Sequence, residues 1–209
     1  LFRSSAASDV YKRQYKEERL GDFDYIIVGG GSSGATLAGR LTADPSVKVL
    51  LLEAGPSDGS LKIKVPLGYG SLFYDQKYNW KYETEPEPEL KGRRMYWPRG
   101  KVLGGSSAIN AMVYVRGHPN DYEEWAEAAP SWNWSNVEPY FKKIESWKGE
   151  ASPFRGKSGP IGVSNVENDV HPLTYKYLEA GQELGFPYNR DYNGNHMEGV
   201  AVYQTTTSN

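Results

Sequence analysis

An α/β fold that opens with a parallel βαβ unit is what the sequence predicts, and three observations predict it. The run DYIIV ends in glycines, as a short buried strand entering a tight turn does. SSGATLAGRLTAD follows, with Ala35, Leu37, Ala38 and Leu41 on one helical face. VKVLLLEAG then supplies a second apolar run of strand length. Strand, glycine turn, helix and strand in about thirty residues make a βαβ unit, so the two strands should lie parallel.

The segments around this unit read less regularly. LFRSSAASDVYKRQ shows no period and no cap, and SAASDVYKRQ resembles translated sequencing-adapter sequence. Residues 1–21 are therefore read as a leader and set aside from the fold. From Pro56 to Pro98 the pattern breaks, and KYETEPEPELKGRRMYWP alternates charge and proline without a helical stripe. It predicts a long ordered loop or lid, in which EPEPE is a solvated turn. NDYEEWAEA predicts a helix capped by Asn120. WSNVEPYFKKIESW predicts another, with Val137, Tyr140, Phe141 and Ile144 on one face. IGVSNV reads as a short strand, and HPLTYKYLEAGQELG as a helix stopped at Gly185. The closing VAVYQTTTSN alternates β-formers with no partner strand after it, which predicts the front portion of a longer protein.

Composition narrows the function classes. The chain has 209 residues and a formal net charge of −2, without the basic excess that nucleic acid requires. It has no cysteine, which excludes disulfides, thiolate metal sites and a cysteine nucleophile. YIIV and VLLL are far too short to span a bilayer. No apolar signal region is visible, so a soluble chain is expected, with its compartment open. Aromatic residues are frequent between Tyr69 and Trp147, where they either pack a flat ligand or fill core and surface.

The first glycine loop carries chemistry. Gly29, Gly31 and Gly34 follow a strand and open a helix. The first permits the turn, the second lets a pyrophosphate reach the backbone, and the third allows close helix packing. The helix N-terminus adds partial positive charge. Glu53 ends the next strand about 20 residues later, where an acid binds ribose hydroxyls. The pattern predicts an adenine dinucleotide, NAD or FAD. The aromatic, proline-punctuated detour that follows favours the larger flavin.

A second glycine loop lies in WPRGKVLGGSSAIN. Gly100, Gly104 and Gly105 remove side chains where main chain could touch a ligand, and Ser106 and Ser107 add hydroxyl donors. SSAIN can start a helix facing an anion, or the loop can be an ordinary turn. With DYIIVGGGSSGATLAGRL, VLLLEAG, NWKYETEP, MVYVRG and DYNG, it resembles the glucose–methanol–choline (GMC) flavoprotein oxidoreductases, and within them the choline-dehydrogenase-like alcohol dehydrogenases. The resemblance runs from Asp22 to the end of the chain.

That resemblance implies a Rossmann-like FAD-binding domain over residues 22–147, including a lid over about residues 69–97 and a second loop over 97–117. Residues 148–209 would begin an incomplete α+β substrate domain. Gly29, Gly31, Ser32, Ser33 and Gly34 would hold the FAD pyrophosphate, with Glu53 and the adjoining Ala54 at the ribose. Val102, Gly105 and Ser106 would line the cofactor's middle section, and Trp80 would reach it from the lid. Asn110, Ala111, Met112 and Val113 would run beside the isoalloxazine ring. The implied reaction is oxidation of an alcohol to an aldehyde or ketone by hydride transfer to flavin N5. Oxygen, a quinone or another carrier would take the electrons.

Two departures qualify the resemblance. Where some members attach FAD through a histidine, this chain has Ala108 and Ile109, which implies non-covalent FAD. The family's proton-abstracting histidine lies near the end of a chain more than twice this long, and no residue here matches it. His118, His171 and His196 read as surface or capping residues and give no metal set. The chain alone is therefore expected to be inactive. A hydroxynitrile-lyase-like relative and a non-catalytic dinucleotide-binding module remain as alternatives. Asn133-Trp134-Ser135 is a glycosylation sequon in form, read as chance.

Overall fold

The computed structural model describes residues 21–207. The expected leader, with its adapter-like stretch, lies outside the described residues except for Gly21. Two compact units divide the chain: one takes residues up to Ser60 with Phe73–Ile109, the other Leu61–Leu72 with residues from Asn110 onward.

The first unit holds the expected α/β motif. Strand β1 (Tyr25–Val28) leads through the glycine turn into helix α1 (Ser32–Leu41) and on to β2 (Val49–Leu52). The strands pair in parallel, Tyr25 opposite Val49 through to Val28 opposite Leu52. One expectation fails. β1 reads as buried, yet only Ile27 is, while Ile26 and Val28 are 63% and 84% exposed. The sheet has two strands among the described residues, so α1 covers one face of β1 and no described residue of this unit covers the other.

The stretch expected to be irregular contains short paired elements. β3 (Tyr82–Glu83) pairs antiparallel with β4 (Tyr96–Trp97). Between them a 3-10 turn, Pro88–Leu90, and left-handed Lys91 reverse the chain. The EPEPE segment is exposed, as expected of a solvated turn. Buried Asn79 ties the feet of this hairpin: its Nδ2 donates to the Phe73 carbonyl, and its Oδ1 accepts the N–H groups of Lys81 and Arg99. Two-residue strands set by such remote bonds leave no local period to read.

The second unit begins with two single-turn helices, α2 (Leu61–Lys64) and α3 (Tyr69–Leu72). Helix α4 (Pro119–Ala128) is capped by His118 rather than by Asn120. Pro119 suits the first helical position, where no N–H partner is needed. The His118 Nδ1 accepts the Asn120 N–H at 3.1 Å, and the Asp121 carboxylate accepts the His118 N–H at 3.2 Å. Asn133, from the sequon, caps α5 (Trp134–Ile144) by accepting the Asn136 N–H at 3.0 Å. His171 caps α6 (Pro172–Glu183), which ends at Gly185 with φ +92°, as expected. Two of the three histidines are thus caps, and the third, His196, sits exposed in a loop.

A three-stranded sheet completes the unit. β5 (Glu145–Trp147) runs parallel to β6 (Ile161–Asn165), and β7 (Gln204–Thr205) pairs antiparallel with β6. The closing segment reads as a strand with no partner after it. Its strand covers only two residues, and its partner precedes it in sequence. Among the described residues no helix is long and apolar enough to cross a membrane.

The centre of this unit is polar. Glu145, fully buried, sits between two buried guanidinium groups, those of Arg116 and Arg155. The Gly156 N–H adds a bond to Glu145 Oε2 at 2.8 Å. Arg155 continues to Asp191 and to Gln204 Oε1, and its guanidinium lies 3.9 Å from the centre of the Trp147 ring. Removing one member of such a buried set strands the rest, at about 3–5 kcal/mol. The substitution E145Q is expected to destabilise the second unit by about 3 kcal/mol or more, read by urea unfolding. E138Q, at a partly exposed helix pair, should change stability by less than about 1 kcal/mol.

Candidate dinucleotide site

The two glycine loops of the first unit meet backbone to backbone. The Gly104 N–H donates to the Gly30 carbonyl at 2.8 Å, and the Leu103 N–H to the Pro56 carbonyl at 2.9 Å. Gly105 has φ +58°, and a Cβ placed on it would lie 2.7 Å from the Gly31 Cα. A hydroxyl chain joins the loops as well. Ser107 Oγ donates to the Gly104 carbonyl at 2.7 Å. Its single proton is thereby used, so Ser32 is the donor in the 2.8 Å contact between the two hydroxyls.

Glu53 is the second fastening. Its Oε2 accepts the Gly30 N–H at 2.7 Å and its Oε1 the Gly55 N–H at 2.8 Å. Sequence reasoning gives this acid to a ribose and misses its hold on the first loop. Each carboxylate oxygen keeps a further lone pair, so both roles are compatible.

Above these contacts lies a cleft of about 1030 Å³. Gly29, Gly31, Ser32, Ser33 and Gly34 line it from the first loop, Gly105 and Ser106 from the second, and Glu53, Ala54 and Trp80 from beside them. Gly29 turns the chain at φ +98°, and a Cβ on Gly34 would stand 1.9 Å from the Gly29 carbonyl oxygen. Helix α1 starts here with no side-chain cap and no acid in its first turn. Its first internal bond runs from the Ala35 N–H to the Gly31 carbonyl, so the N–H groups of Ser32, Ser33 and Gly34 have no helical acceptor. Such an end favours an anion.

Not every expected residue lies in the cleft. Val102 is fully buried and packs beneath the second loop, where its carbonyl accepts the Gly105 N–H at 2.7 Å. That loop closes as a 3-10 turn, Gly105–Ala108, rather than starting an α-helix. Asn110, Ala111, Met112 and Val113 belong to the second unit. There Asn110 Oδ1 accepts the Met112 N–H at 2.9 Å, and Met112 is left-handed at φ +60°. The Met112 carbonyl accepts the Thr206 N–H at 2.8 Å, and Val113 bridges Thr205. Arg99 and Tyr82 line the cleft and escaped the sequence reading. Arg99, a cation beside the second loop, was the findable signal. Tyr82 stacks on Trp80 with ring centres 5.9 Å apart, a contact no local pattern announces.

A family model described as GMC oxidoreductase matches residues 23–209. The chain belongs to the GMC oxidoreductase family. It is 47% identical over 186 residues to an alcohol dehydrogenase [acceptor] of Pseudomonas putida, covering 88% of this chain and 34% of that protein. It is also 47% identical over 197 residues to the mitochondrial choline dehydrogenase of Homo sapiens, covering 90% and 33%. The chain thus spans about a third of the length of the curated relatives it matches. Among solved structures, pyridoxine 4-oxidase from Mesorbium loti superposes with a TM-score of 0.83 at 36% identity, over 90% of this chain and 37% of that one. An FAD-dependent oxidoreductase from Chaetomium thermophilum gives 0.76 at 34%, over 90% and 34%. The α/β front with its glycine turn is the fold shared with these GMC proteins.

The fastenings give two expected outcomes. G105A should cost about 2 kcal/mol or more in the first unit, because backbone rather than a movable side chain blocks the methyl. E53Q should cost about 1–3 kcal/mol, since its amide nitrogen would face an N–H donor. Urea unfolding of each variant beside S107A, which should lose less, checks both.

Proposed function

We propose that this chain is the FAD-binding front of an oxidoreductase acting on CH–OH groups. The carrying observation is the cleft itself: Gly29, Gly31, Ser32, Ser33, Gly34, Glu53, Ala54, Trp80, Gly105 and Ser106, all assigned to FAD from sequence, line one concave surface at an uncapped, acid-free helix N-terminus. The fit is chemical as well as spatial. The first-turn N–H groups and Ser33 suit a pyrophosphate, Arg99 adds a cation, and Glu53 keeps lone pairs for ribose hydroxyls. Ser32 can donate to a phosphate oxygen only by giving up its bond to Ser107.

FAD, when bound, supplies the hydride acceptor for oxidation of an alcohol carbon. This chain's own residues bind and orient it. Residues 22–147 hold the cofactor, with Asn110–Val113 beside the ring, and residues 148–209 open the substrate-binding part. Ala108 and Ile109 carry hydrocarbon side chains, which form no bond to a flavin, and this supports non-covalent attachment. The alcohol is a small molecule, and oxygen, a quinone or another carrier is the acceptor. The names of the relatives, an alcohol dehydrogenase and a choline dehydrogenase, support the reaction class.

Two measurements test this reading. The purified chain should bind FAD one to one by flavin fluorescence quenching, release it on denaturation, and give no alcohol-dependent dye reduction. Absence of FAD binding overturns the cofactor, and dye reduction by the chain alone overturns the assignment of the base to residues outside it. In a longer protein containing this chain, alcohol should bleach the flavin. A flavin that stays oxidised while substrate is cleaved points to the lyase.

A further inference from the structure

A second concave site lies wholly within the second unit. It encloses about 730 Å³, within the range of small-molecule sites. None of its lining residues belongs to the dinucleotide cleft. Its walls are fixed by bonds internal to the protein. Asn189 ties the loop across itself, donating from Nδ2 to the carbonyls of His196 and Glu198 at 2.8 and 3.0 Å, and accepting the Asp191 N–H at 2.9 Å. Arg116 and Asn193, 4% and 2% exposed, form the floor. The Arg116 charge is spent on Glu145. Tyr188 spends its phenol on Glu167, and burial together with that carboxylate pushes it up to about 12.

Several lining groups keep bonding capacity. Arg190 makes no hydrogen bond or ion pair among the described residues. His118 accepts the Asn120 N–H at Nδ1, so its neutral ring carries the proton at Nε2 as a donor. Trp134 and Met197 add flat and apolar surface. Glu198, the one acid in the lining, disfavours a multiply charged ligand.

We propose that this cavity binds a small monocarboxylate with a flat apolar body, an aryl carboxylate. Arg190 and the His118 Nε2–H receive the carboxylate, and the ring lies against Trp134. A guanidinium whose N–H groups make no internal hydrogen bond pairs with a carboxylate through two parallel bonds. Apolar contact then distinguishes this ligand from an inorganic anion.

The full chain, labelled with 15N, is titrated with benzoate, benzyl alcohol and inorganic phosphate, following the Trp134 indole signal. Benzoate should saturate with a Kd of about 1 mM or tighter, and the other two at least about tenfold more weakly. R190A removes a side chain that makes no hydrogen bond or ion pair among the described residues, its charge acting only at a distance on Tyr188, so the spectrum should stay folded while benzoate affinity falls about tenfold. Excess FAD should not displace benzoate. Equal binding of benzyl alcohol or phosphate, unchanged affinity in R190A, displacement by FAD, or no saturable benzoate binding each overturns the proposal. FAD affinity measured on the same sample keeps this outcome separate from that of the dinucleotide reading.

Discussion

Direct contact of main chain with main chain, Gly30 and Gly31 against Gly104 and Gly105, is the constraint on which the first unit depends. Individual hydrogen bonds there contribute only about 1 kcal/mol each. The sterics are less forgiving. A Cβ on Gly100 would lie 2.2 Å from the Gly105 carbonyl, and one on Gly55 would lie 1.9 Å from the Lys101 carbonyl oxygen. Side chains are excluded at each crossing, so the two loops approach as bare backbone. This approach leaves the first turn of α1 open to the cleft, and it anchors the hairpin through the Lys101 N–H bond to the Tyr78 carbonyl. The two glycine-rich stretches are halves of one surface.

The second unit solves a different problem. Its sheet has short strands and few large apolar residues fully buried, so charge and amide groups fill its middle. Glu145 and Asp191 offset Arg116 and Arg155, and Gln204 and Asn193 extend the network, while the buried Arg116 Nε has no hydrogen-bond partner among the described residues. Buried ion pairs often stabilise no more than apolar packing of the same volume would. They do demand one geometry. Here that geometry reaches the segment after the second loop: Asn193 Oδ1 accepts the Arg116 N–H, and Asn193 Nδ2 and the Tyr192 hydroxyl both donate to the Tyr114 carbonyl.

Legibility in the sequence followed the range of the interactions. The βαβ unit was plain because its apolar periods and glycine spacing are local, and Gly185 announced its helix end for the same reason. The α4 cap was given to Asn120, the commoner capping type, rather than to His118, although Pro119 marked the first helical position. The hairpin of β3 and β4 was hidden because bonds to Asn79, not a residue pattern, hold it. β1 read as buried because hydrophobicity reports the environment a strand is suited to, not how many neighbours its sheet supplies. The Arg116–Glu145–Arg155 set was illegible for a related reason. Charged residues normally signal surface, and only their convergence from three separate segments buries them.

The central claim is that both glycine loops grip one dinucleotide. Backbone amide NMR of the chain titrated with FAD tests it most directly. The account predicts that the amides of Gly31–Gly34 and those of Gly105–Ser107 shift together, with one common affinity. Shifts confined to one loop, or two sets titrating with different affinities, would contradict it.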